Sequence, residues 1–206
     1  MRILITAGPA WVAIDDVRVI SNISTGETGL LIARAAAREG AKVTLILGPG
    51  EECCIDKGIK VIRVRFFDEL KNALLGQLRS GKYDIIVHSA AVPDYRPKKK
   101  IARKLDSGIR ALKLKLVPTP KLIDLIKKNA PGSVLVGFKF EPGAGRAKLI
   151  KESSALFKRA RADLVVANTL VNGSYRAYIV NKDGACRGPL SSKEKLAEAL
   201  VKTLRR

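Results

Sequence analysis

The stretch DDVRVISNISTG, residues 15–26, ends in short hydroxyl, amide and glycine residues directly before an amphipathic run that predicts a helix. Its last part is too polar to join a core, since it contains Ser21, Asn22, Ser24 and Thr25. A helix start offers free N–H groups and the positive end of the helix dipole, and both suit phosphate. The stretch therefore predicts either a helix cap or a site for an anionic ligand. Gly26 and Gly29 fit both interpretations, because glycine permits close approach to a ligand and close packing on a sheet.

A second candidate segment, HSAAVPDYRP at residues 88–97, ends an apolar run that predicts a strand. The small residues at 89–91 leave room for a flat ligand beside the sheet, and Asp94 offers a carboxylate at the strand end. In open α/β sheets, ligands bind outside the carboxyl ends of the strands. Both segments are therefore predicted to face one rim, together with three shorter ones: TPK (119–121), GFKFE (137–141) and VAN (166–168).

The segment RPKKKIARKLDSG, residues 96–108, is irregular and strongly basic. After Arg96 it carries the basic run Lys98, Lys99, Lys100, Arg103 and Lys104. Most such runs are solvated loops. The alternative is a mobile flap that closes over phosphates, and the pattern alone does not choose between them.

Several kinds of catalytic site are missing from the sequence. The single histidine, His88, lies in an apolar run, and neither a Ser-His-Asp nor a Cys-His arrangement can be assembled around it. No cluster has metal-ligand spacing, and there is no Walker A sequence. The glycines in GPGEEC (48–53) and GAGRAK (143–148) do not complete a dinucleotide fingerprint. An enzyme with this sequence needs chemistry that uses neither a protein nucleophile nor a protein-bound structural metal.

The elements that must position these residues are apolar strands alternating with helices. The predicted strands lie at 2–7, 42–47, 59–65, 83–91, 111–117, 133–140, 162–168 and 176–181. The predicted helices lie at 26–39, 67–80, 119–130 with Thr119 as N-cap and Pro120 first, 145–161 and 192–204. This alternation predicts an α/β fold: a Rossmann-like three-layer αβα domain with a mostly parallel central sheet. The whole chain, 1–206, is expected to form one domain that carries a flexible basic flap at about 96–108.

Length and charge limit the class of protein. The chain has 206 residues, 47% of them hydrophobic, which is enough for one buried core. No apolar run approaches the ~20 residues of a membrane span, and the strand-like RILITA after Met1 argues against a signal peptide. Three cysteines without framework spacing predict a reduced, cytoplasmic protein. The net charge of +20 favours anionic partners, which include RNA, nucleotides and phosphorylated metabolites.

Taken together and in order, the motifs resemble those of the phosphopantothenate–cysteine ligase family. The similarity runs through nearly the whole chain, over ITAGPAWVAIDDVRVISNISTG, AAVPDYRP, KI, LKLVPTPKLI, VGFKFE and ADLVVAN. The resemblance implies ATP- or CTP-dependent ligation of phosphopantothenate with cysteine in coenzyme A biosynthesis, through an acyl-nucleotidylate and with release of pyrophosphate. In many relatives this domain follows a flavin-dependent decarboxylase; since residue 1 begins the ligase motif, a stand-alone ligase is expected.

The resemblance also implies roles for particular residues. Asn22 matches the asparagine that holds the substrate carboxyl and the acyl intermediate, Arg18 the arginine that reaches phosphopantothenate in the neighbouring subunit, and Lys100 the flap lysine; these are the expected catalytic residues. Substrate contacts are expected from Arg18, Asn22, Ala90, Ala91 and Asp94. Nucleotide contacts are expected from Gly8, Ser24, Gly26, Gly29, His88, Ser89, Ala90, Asp94, Lys100, Val117, Pro118, Thr119, Pro120, Phe138, Lys158 and Asn168. The expected cosubstrate is Mg²⁺ with ATP or CTP, and the expected assembly is a homodimer that binds neither membrane nor specific nucleic acid.

The chain departs from the family pattern at three places. Thr25 stands where the family often has serine, which keeps the hydroxyl. In the flap, Lys104 is an alternative to Lys100. Near 156–160 the family often has further lysines, whereas this chain has Leu156 and Ala160 with Lys158 and Arg159 between them.

Two other functions compete with a ligase. A Rossmann-like oxidoreductase would need a nucleotide fingerprint that the chain lacks. A basic nucleic-acid-binding protein would need aromatic residues interleaved with its cations, but aromatics make up only 5% of the chain and are scattered.

Overall fold

The computed structural model describes residues 1–50 and 55–205. Its strands are β1 (Arg2–Ala7), β2 (Val12–Ala13), β3 (Val19–Ile20), β4 (Lys42–Leu47), β5 (Ile59–Arg63), β6 (Ile85–His88), β7 (Tyr95–Pro97), β8 (Leu116–Pro118), β9 (Val134–Phe140), β10 (Leu164–Val171), β11 (Ser174–Asn181) and β12 (Cys186–Leu190). Its helices are α1 (Glu27–Arg38), α2 (Phe67–Ser80), α3 (Leu122–Asn129), α4 (Arg146–Ala160) and α5 (Lys193–Leu204).

Eight strands form one sheet in the order β12-β11-β10-β9-β6-β1-β4-β5. Six neighbouring strands of this sheet run parallel: β5, β4, β1, β6, β9 and β10. Beyond β10, β11 and β12 extend the sheet, and each is antiparallel to the strand before it. Their order is that of a doubly wound Rossmann sheet, which reverses between β1 and β6. The predicted α/β fold with a mostly parallel central sheet is confirmed.

Helices cover both faces of the sheet, because successive strand residues point to opposite sides. On one face Ile3 and Ile5 of β1 pack in a cluster with Leu30 of α1 and Leu200 of α5. On the other, Leu4 packs with residues of α2, α3 and α4. These near-continuous apolar strands are the reason the sheet lies between two helical layers.

Two small pairs of strands lie outside this sheet. β2 pairs antiparallel with β3, and β7 pairs antiparallel with β8. The basic segment 96–108 begins within β7 and is bonded back to the β2–β3 hairpin, where the Ile101 N–H donates to the Ile14 carbonyl at 2.9 Å. The mobility of this flap stays a prediction.

Two expectations about secondary structure are wrong. The predicted strand at 111–117 forms only at its end, as β8. No other element in the described part of the chain packs on its apolar face, since Leu112 and Leu116 are both exposed. The predicted helix cap at Thr119 is also wrong, because its hydroxyl donates to the Pro93 carbonyl. Helix α3 therefore begins later, with Lys121 at its N-cap.

No helix in the described ranges is both long and apolar enough to cross a membrane. Cys186 is a free thiol in β12. The other two cysteines, Cys53 and Cys54, and the second half of the GPGEEC motif lie outside the described residues.

Candidate active site

A cavity of about 1120 Å³ opens at the carboxyl ends of β6, β9 and β10, next to the start of α1. This is the place where the strand order reverses, and where ligands bind in open α/β sheets. It collects most of the residues expected at the site: Asn22, Ser24, Gly26, Gly29, His88, Ser89, Ala90, Ala91, Asp94, Thr119, Pro120, Phe138 and Asn168. Residues as far apart in sequence as Asn22 and Asn168 therefore line one cavity.

Six expected residues do not line this cavity: Gly8, Arg18, Lys100, Val117, Pro118 and Lys158. Val117 and Pro118 pair with β7, and on α4 the cavity is lined by Arg159 instead of its neighbour Lys158. Lys100 lines a separate cavity of about 450 Å³ beside Trp11 and Phe66, where its Nζ lies 2.6 Å from Asp16. The roles expected for these six residues stay predictions.

The start of α1 is open to a ligand. Gly26 occupies the N-cap position in a left-handed conformation, with φ 80°, and no side chain caps the helix there. The polar run before it contributes only a long bond, 3.4 Å, from the Glu27 N–H to the Thr25 hydroxyl. No side chain of this stretch therefore caps α1 in the usual way, and the anion site stays a prediction.

The glycines near α1 bring chain segments together. A Cβ on Gly29 would lie 2.4 Å from the Ala7 Cβ, so this residue lets α1 pack directly on β1. A Cβ on Gly26 would lie 3.1 Å from the Gly8 Cα, and one on Gly8 would lie 3.2 Å from the Gly48 backbone. Packing alone therefore accounts for these glycines, without a ligand.

The loop after β6 is fixed by hydrogen bonds that hold small side chains at the cavity. The Ser89 hydroxyl donates to the Thr6 carbonyl at 2.7 Å, and the Asn22 amide nitrogen donates to the Val92 carbonyl at 3.1 Å. Asp94 forms an ion pair with Lys121 at the far side of the loop. Asn22 is thus held against the segment that is expected to contact substrate.

Four cations line the cavity, and each is paired with a carboxylate. Lys193 pairs with Glu27, Lys121 with Asp94, Lys139 with Glu141 at 2.9 Å, and Arg159 with Asp124 at 3.0 Å. Such partly exposed pairs contribute little stability, about 0–1 kcal/mol each. An entering polyanion can therefore displace the carboxylates at low cost.

Tyr175, which was not among the expected site residues, lines the cavity from β11. Its hydroxyl and the Oδ1 of Asn168 are both buried and have no hydrogen-bond partner among the described residues. Burial raises the pKa of Tyr175 to about 12, the nearby Asn168 side chain opposes this shift, and the charge of Glu27 adds to it. The phenol is therefore a neutral donor at pH 7. An Asn-Gly pair at 172–173 was the available signal, since it predicts a hairpin that returns β11 beside β10.

His88 is buried at the end of β6, and its Nδ1 lies 2.8 Å from the Thr6 hydroxyl. Burial lowers the pKa of His88 to about 4. The imidazole is therefore neutral at pH 7, so it can exchange a hydrogen bond with a ligand but adds no positive charge to the cavity.

We expect His88 to make the protein less stable in mild acid. The unfolded chain takes up a proton near pH 6.5 and the folded chain only near pH 4, so stability is lost as the pH falls between these values. Between pH 7 and pH 5 the free energy of unfolding should fall by about 2 kcal/mol. Urea titrations at both pH values measure this fall. His88→Gln should remove most of it, because the chain has no other histidine; an unchanged fall in that variant would contradict the assignment.

No group of three or more His, Cys, Asp or Glu side chains is placed to hold a metal ion in residues 1–50 and 55–205. Among the carboxylates that line the cavity are Glu27, Asp94 and Glu152. Magnesium commonly binds through one or two carboxylates together with substrate phosphates. The expected Mg²⁺ with ATP or CTP stays a prediction.

All 206 residues match the model of the family described as DNA/pantothenate metabolism flavoprotein C-terminal domain. The chain is 40% identical over 203 residues to Coenzyme A biosynthesis bifunctional protein CoaBC of Thermococcus kodakarensis, which covers 97% of this chain and 49% of the relative. It is 33% identical over 208 residues to the protein of the same name from Borreliella burgdorferi, covering 98% and 52%. The chain thus spans about half the length of these curated relatives.

Solved structures show the same fold over almost the whole chain. The DNA/pantothenate metabolism flavoprotein from Streptococcus pneumoniae is 26% identical, with a TM-score of 0.88 over 100% of this chain and 98% of that one. The C-terminal domain of CoaBC is 26% identical, with a TM-score of 0.78 over 98% and 93%. A mutant of Cab2 in complex with phosphopantothenate-cysteine is 17% identical, with a TM-score of 0.79 over 99% and 85%.

Proposed function

Because the chain belongs to the DNA/pantothenate metabolism flavoprotein C-terminal domain family, we propose that it is a phosphopantothenate–cysteine ligase. The observation that carries this proposal is the cavity at the sheet's reversal point. It brings together the polar run before α1, the small residues after β6 and the asparagine of β10. The family resemblance implies substrate and nucleotide contacts on these same segments.

The reaction has two steps and needs no protein nucleophile. The carboxylate of phosphopantothenate attacks the α-phosphorus of ATP or CTP, the bond to pyrophosphate breaks, and an acyl-nucleotidylate forms. The amine of cysteine then attacks the acyl carbon, the nucleoside monophosphate leaves, and the amine gives up a proton. Since both nucleophiles belong to substrates, the protein contributes positioning and stabilises developing charge.

The side chains at the cavity suit these two tasks. The triphosphate fits the open N-terminus of α1, with Lys193 beside it and Mg²⁺ carried on the phosphates. Asn22 fits the acyl group, since an amide both donates and accepts hydrogen bonds. Phe138 and the unpaired polar atoms of Asn168 and Tyr175 fit the base and ribose.

A homodimer fits the exposed apolar side chains near the β2–β3 hairpin. Val17 is 62% exposed, and Val19 on β3, Tyr95 on β7 and Leu116 on β8 are exposed as well. Apolar side chains grouped in this way are typical of a protein interface. We therefore place the twofold contact on these two strand pairs.

The products of a single incubation test the proposed reaction. With phosphopantothenate, cysteine, Mg²⁺ and either ATP or CTP, we expect pyrophosphate and the nucleoside monophosphate in amounts equal to the ligated product. Orthophosphate and a nucleoside diphosphate would instead indicate an acyl-phosphate intermediate. Leaving out cysteine is the matched control, because activation should then stop after at most one turnover.

A further inference from the structure

A buried carboxylate, Asp15, lies at the turn of the β2–β3 hairpin and does not line the large cavity. Its Oδ1 accepts hydrogen bonds from the Val17 N–H at 2.8 Å and the Arg18 N–H at 2.7 Å, which close the turn. Its Oδ2 accepts from two further donors, the Leu105 N–H at 3.0 Å and the Arg18 guanidinium. The turn explains only the first two bonds, so half of this carboxylate's bonding is directed elsewhere.

Leu105, 90 residues away in sequence, belongs to the basic flap and is held at both its backbone groups. Its N–H donates to Asp15, and its carbonyl accepts from Arg18 Nη1 at 3.3 Å. The Leu105 N–H is also the main reason that the pKa of Asp15 lies well below its usual range, followed by bonds from Val17 and Arg18. We call Asp15, Arg18 and Leu105 the hairpin latch.

The latch leaves part of Arg18 available. Its side chain remains 37% exposed, and both of its side-chain hydrogen bonds use Nη1. Arginine carries five donors in a rigid planar fork. Fixing one arm of the fork on a buried carboxylate therefore orients the donors on Nε and Nη2 without using them.

We infer that Asp15 is a positioning residue, which aims Arg18 at an anionic substrate group and fixes the flap to the same hairpin. This inference rests on the proposed ligase function for its substrate. The adjacent Asp16 has a separate part, since it pairs with Lys100 and makes no bond to Arg18 or Leu105 among the described residues. The two neighbouring aspartates thus provide a matched pair for experiment.

The test compares Asp15→Asn with Asp16→Asn. Asparagine can keep both turn bonds through its oxygen, but its NH₂ group then faces two donors, the Leu105 N–H and Arg18. In Asp15→Asn we expect the Leu105 amide to lose its protection from hydrogen exchange, measured by NMR. We also expect KM for phosphopantothenate to rise about tenfold, the effect of weakening one charge-assisted hydrogen bond. In Asp16→Asn both quantities should stay within twofold of the wild type.

A double-mutant cycle separates positioning from simple loss of stability. If Asp15 acts through Arg18, then Arg18→Met should raise KM at least as much, and adding Asp15→Asn to it should raise KM no further. An additive effect, or an unchanged KM in Asp15→Asn, would overturn the inference.

Should Asp15→Asn fail to fold, Arg18→Lys serves instead. It keeps a cation beside Asp15 but lacks the fork, so Leu105 should stay protected from hydrogen exchange while KM for phosphopantothenate rises. An unchanged KM in Arg18→Lys would overturn the inference equally. A wild-type protein that makes no ligated product would refute the proposed function, and the exchange of Leu105 would still test the latch.

Discussion

Lys100→Gln should slow the ligation about 10²-fold, the loss typical of removing one donor that stabilises transition-state charge. Its Nζ lies 2.6 Å from Asp16, in a pair whose side chains are both about half exposed. Such a pair is worth at most about 1 kcal/mol, so a flap can release Lys100 towards phosphates at low cost. The loss should appear in kcat, since the ammonium is expected to act on charge that develops at the phosphorus. Rapid-quench measurement of pyrophosphate release would isolate this step.

The matched control for this prediction is Lys104→Gln, in the same flap. Both side chains are exposed, so neither change should lower the melting temperature by more than a few degrees. If Lys104→Gln is slow and Lys100→Gln is not, the flap has been aligned wrongly with the family and the ligase proposal survives. If neither variant is slow, the flap has no catalytic part.

Lys100 lies outside the large cavity, and the sequence could not predict this position. The position of a strand or helix in this sheet follows from local pattern: α2 was expected at 67–80 and lies at Phe67–Ser80, because its apolar residues repeat with helical period. The flap has no such pattern. Its position depends on bonds to Asp15 and Ile14, about 90 residues earlier, and those tertiary contacts leave no periodic signal.

The cavity itself was largely predictable, for a topological reason. Parallel strands all end at the same edge, so polar or small residues towards the carboxyl ends of β1, β6, β9 and β10 must converge there. Ser89, Ala90 and Asn168 were placed correctly by this argument. Tyr175 was not, because it lies near the start of β11, which is antiparallel and so begins at the edge where its neighbours end.

The wrong prediction at 111–117 has a different origin. Alternation of leucine and lysine indicates a strand with one solvent-exposed face. Such a strand is stable only if its apolar face packs against another part of the protein. Here most of the segment is exposed, and only β8 pairs, with the three residues of β7. The proposed twofold contact would cover Leu116, and a partner subunit would then supply the packing that the single chain lacks.

Two strongly impaired variants should restore each other's activity when their subunits are mixed, if Arg18 acts across a twofold interface. Asn168 lines the large cavity of its own chain, whereas Arg18 is held on the β2–β3 hairpin by Asp15 and does not line it. Assayed well below the wild-type KM for phosphopantothenate, Arg18→Ala and Asn168→Ala should each retain little activity as homodimers, since every site lacks one component. In a mixed dimer one site lacks both components and the other is intact. About half the dimers are mixed after random exchange, and each of these has one intact site of two. Activity should therefore recover to about a quarter of wild type.

The pair Asn22→Ala and Asn168→Ala is the control for this experiment, because both residues line the same chain's cavity. Each mixed dimer of that pair carries one defect in each site, so no activity should return. Native mass spectrometry of isotopically labelled subunits measures exchange in both mixtures. Recovery in the first mixture and none in the second would establish a shared site. No recovery in either, with exchange complete, would mean that Arg18 serves its own subunit, and the donors left free by the hairpin latch would then have to reach substrate within one chain.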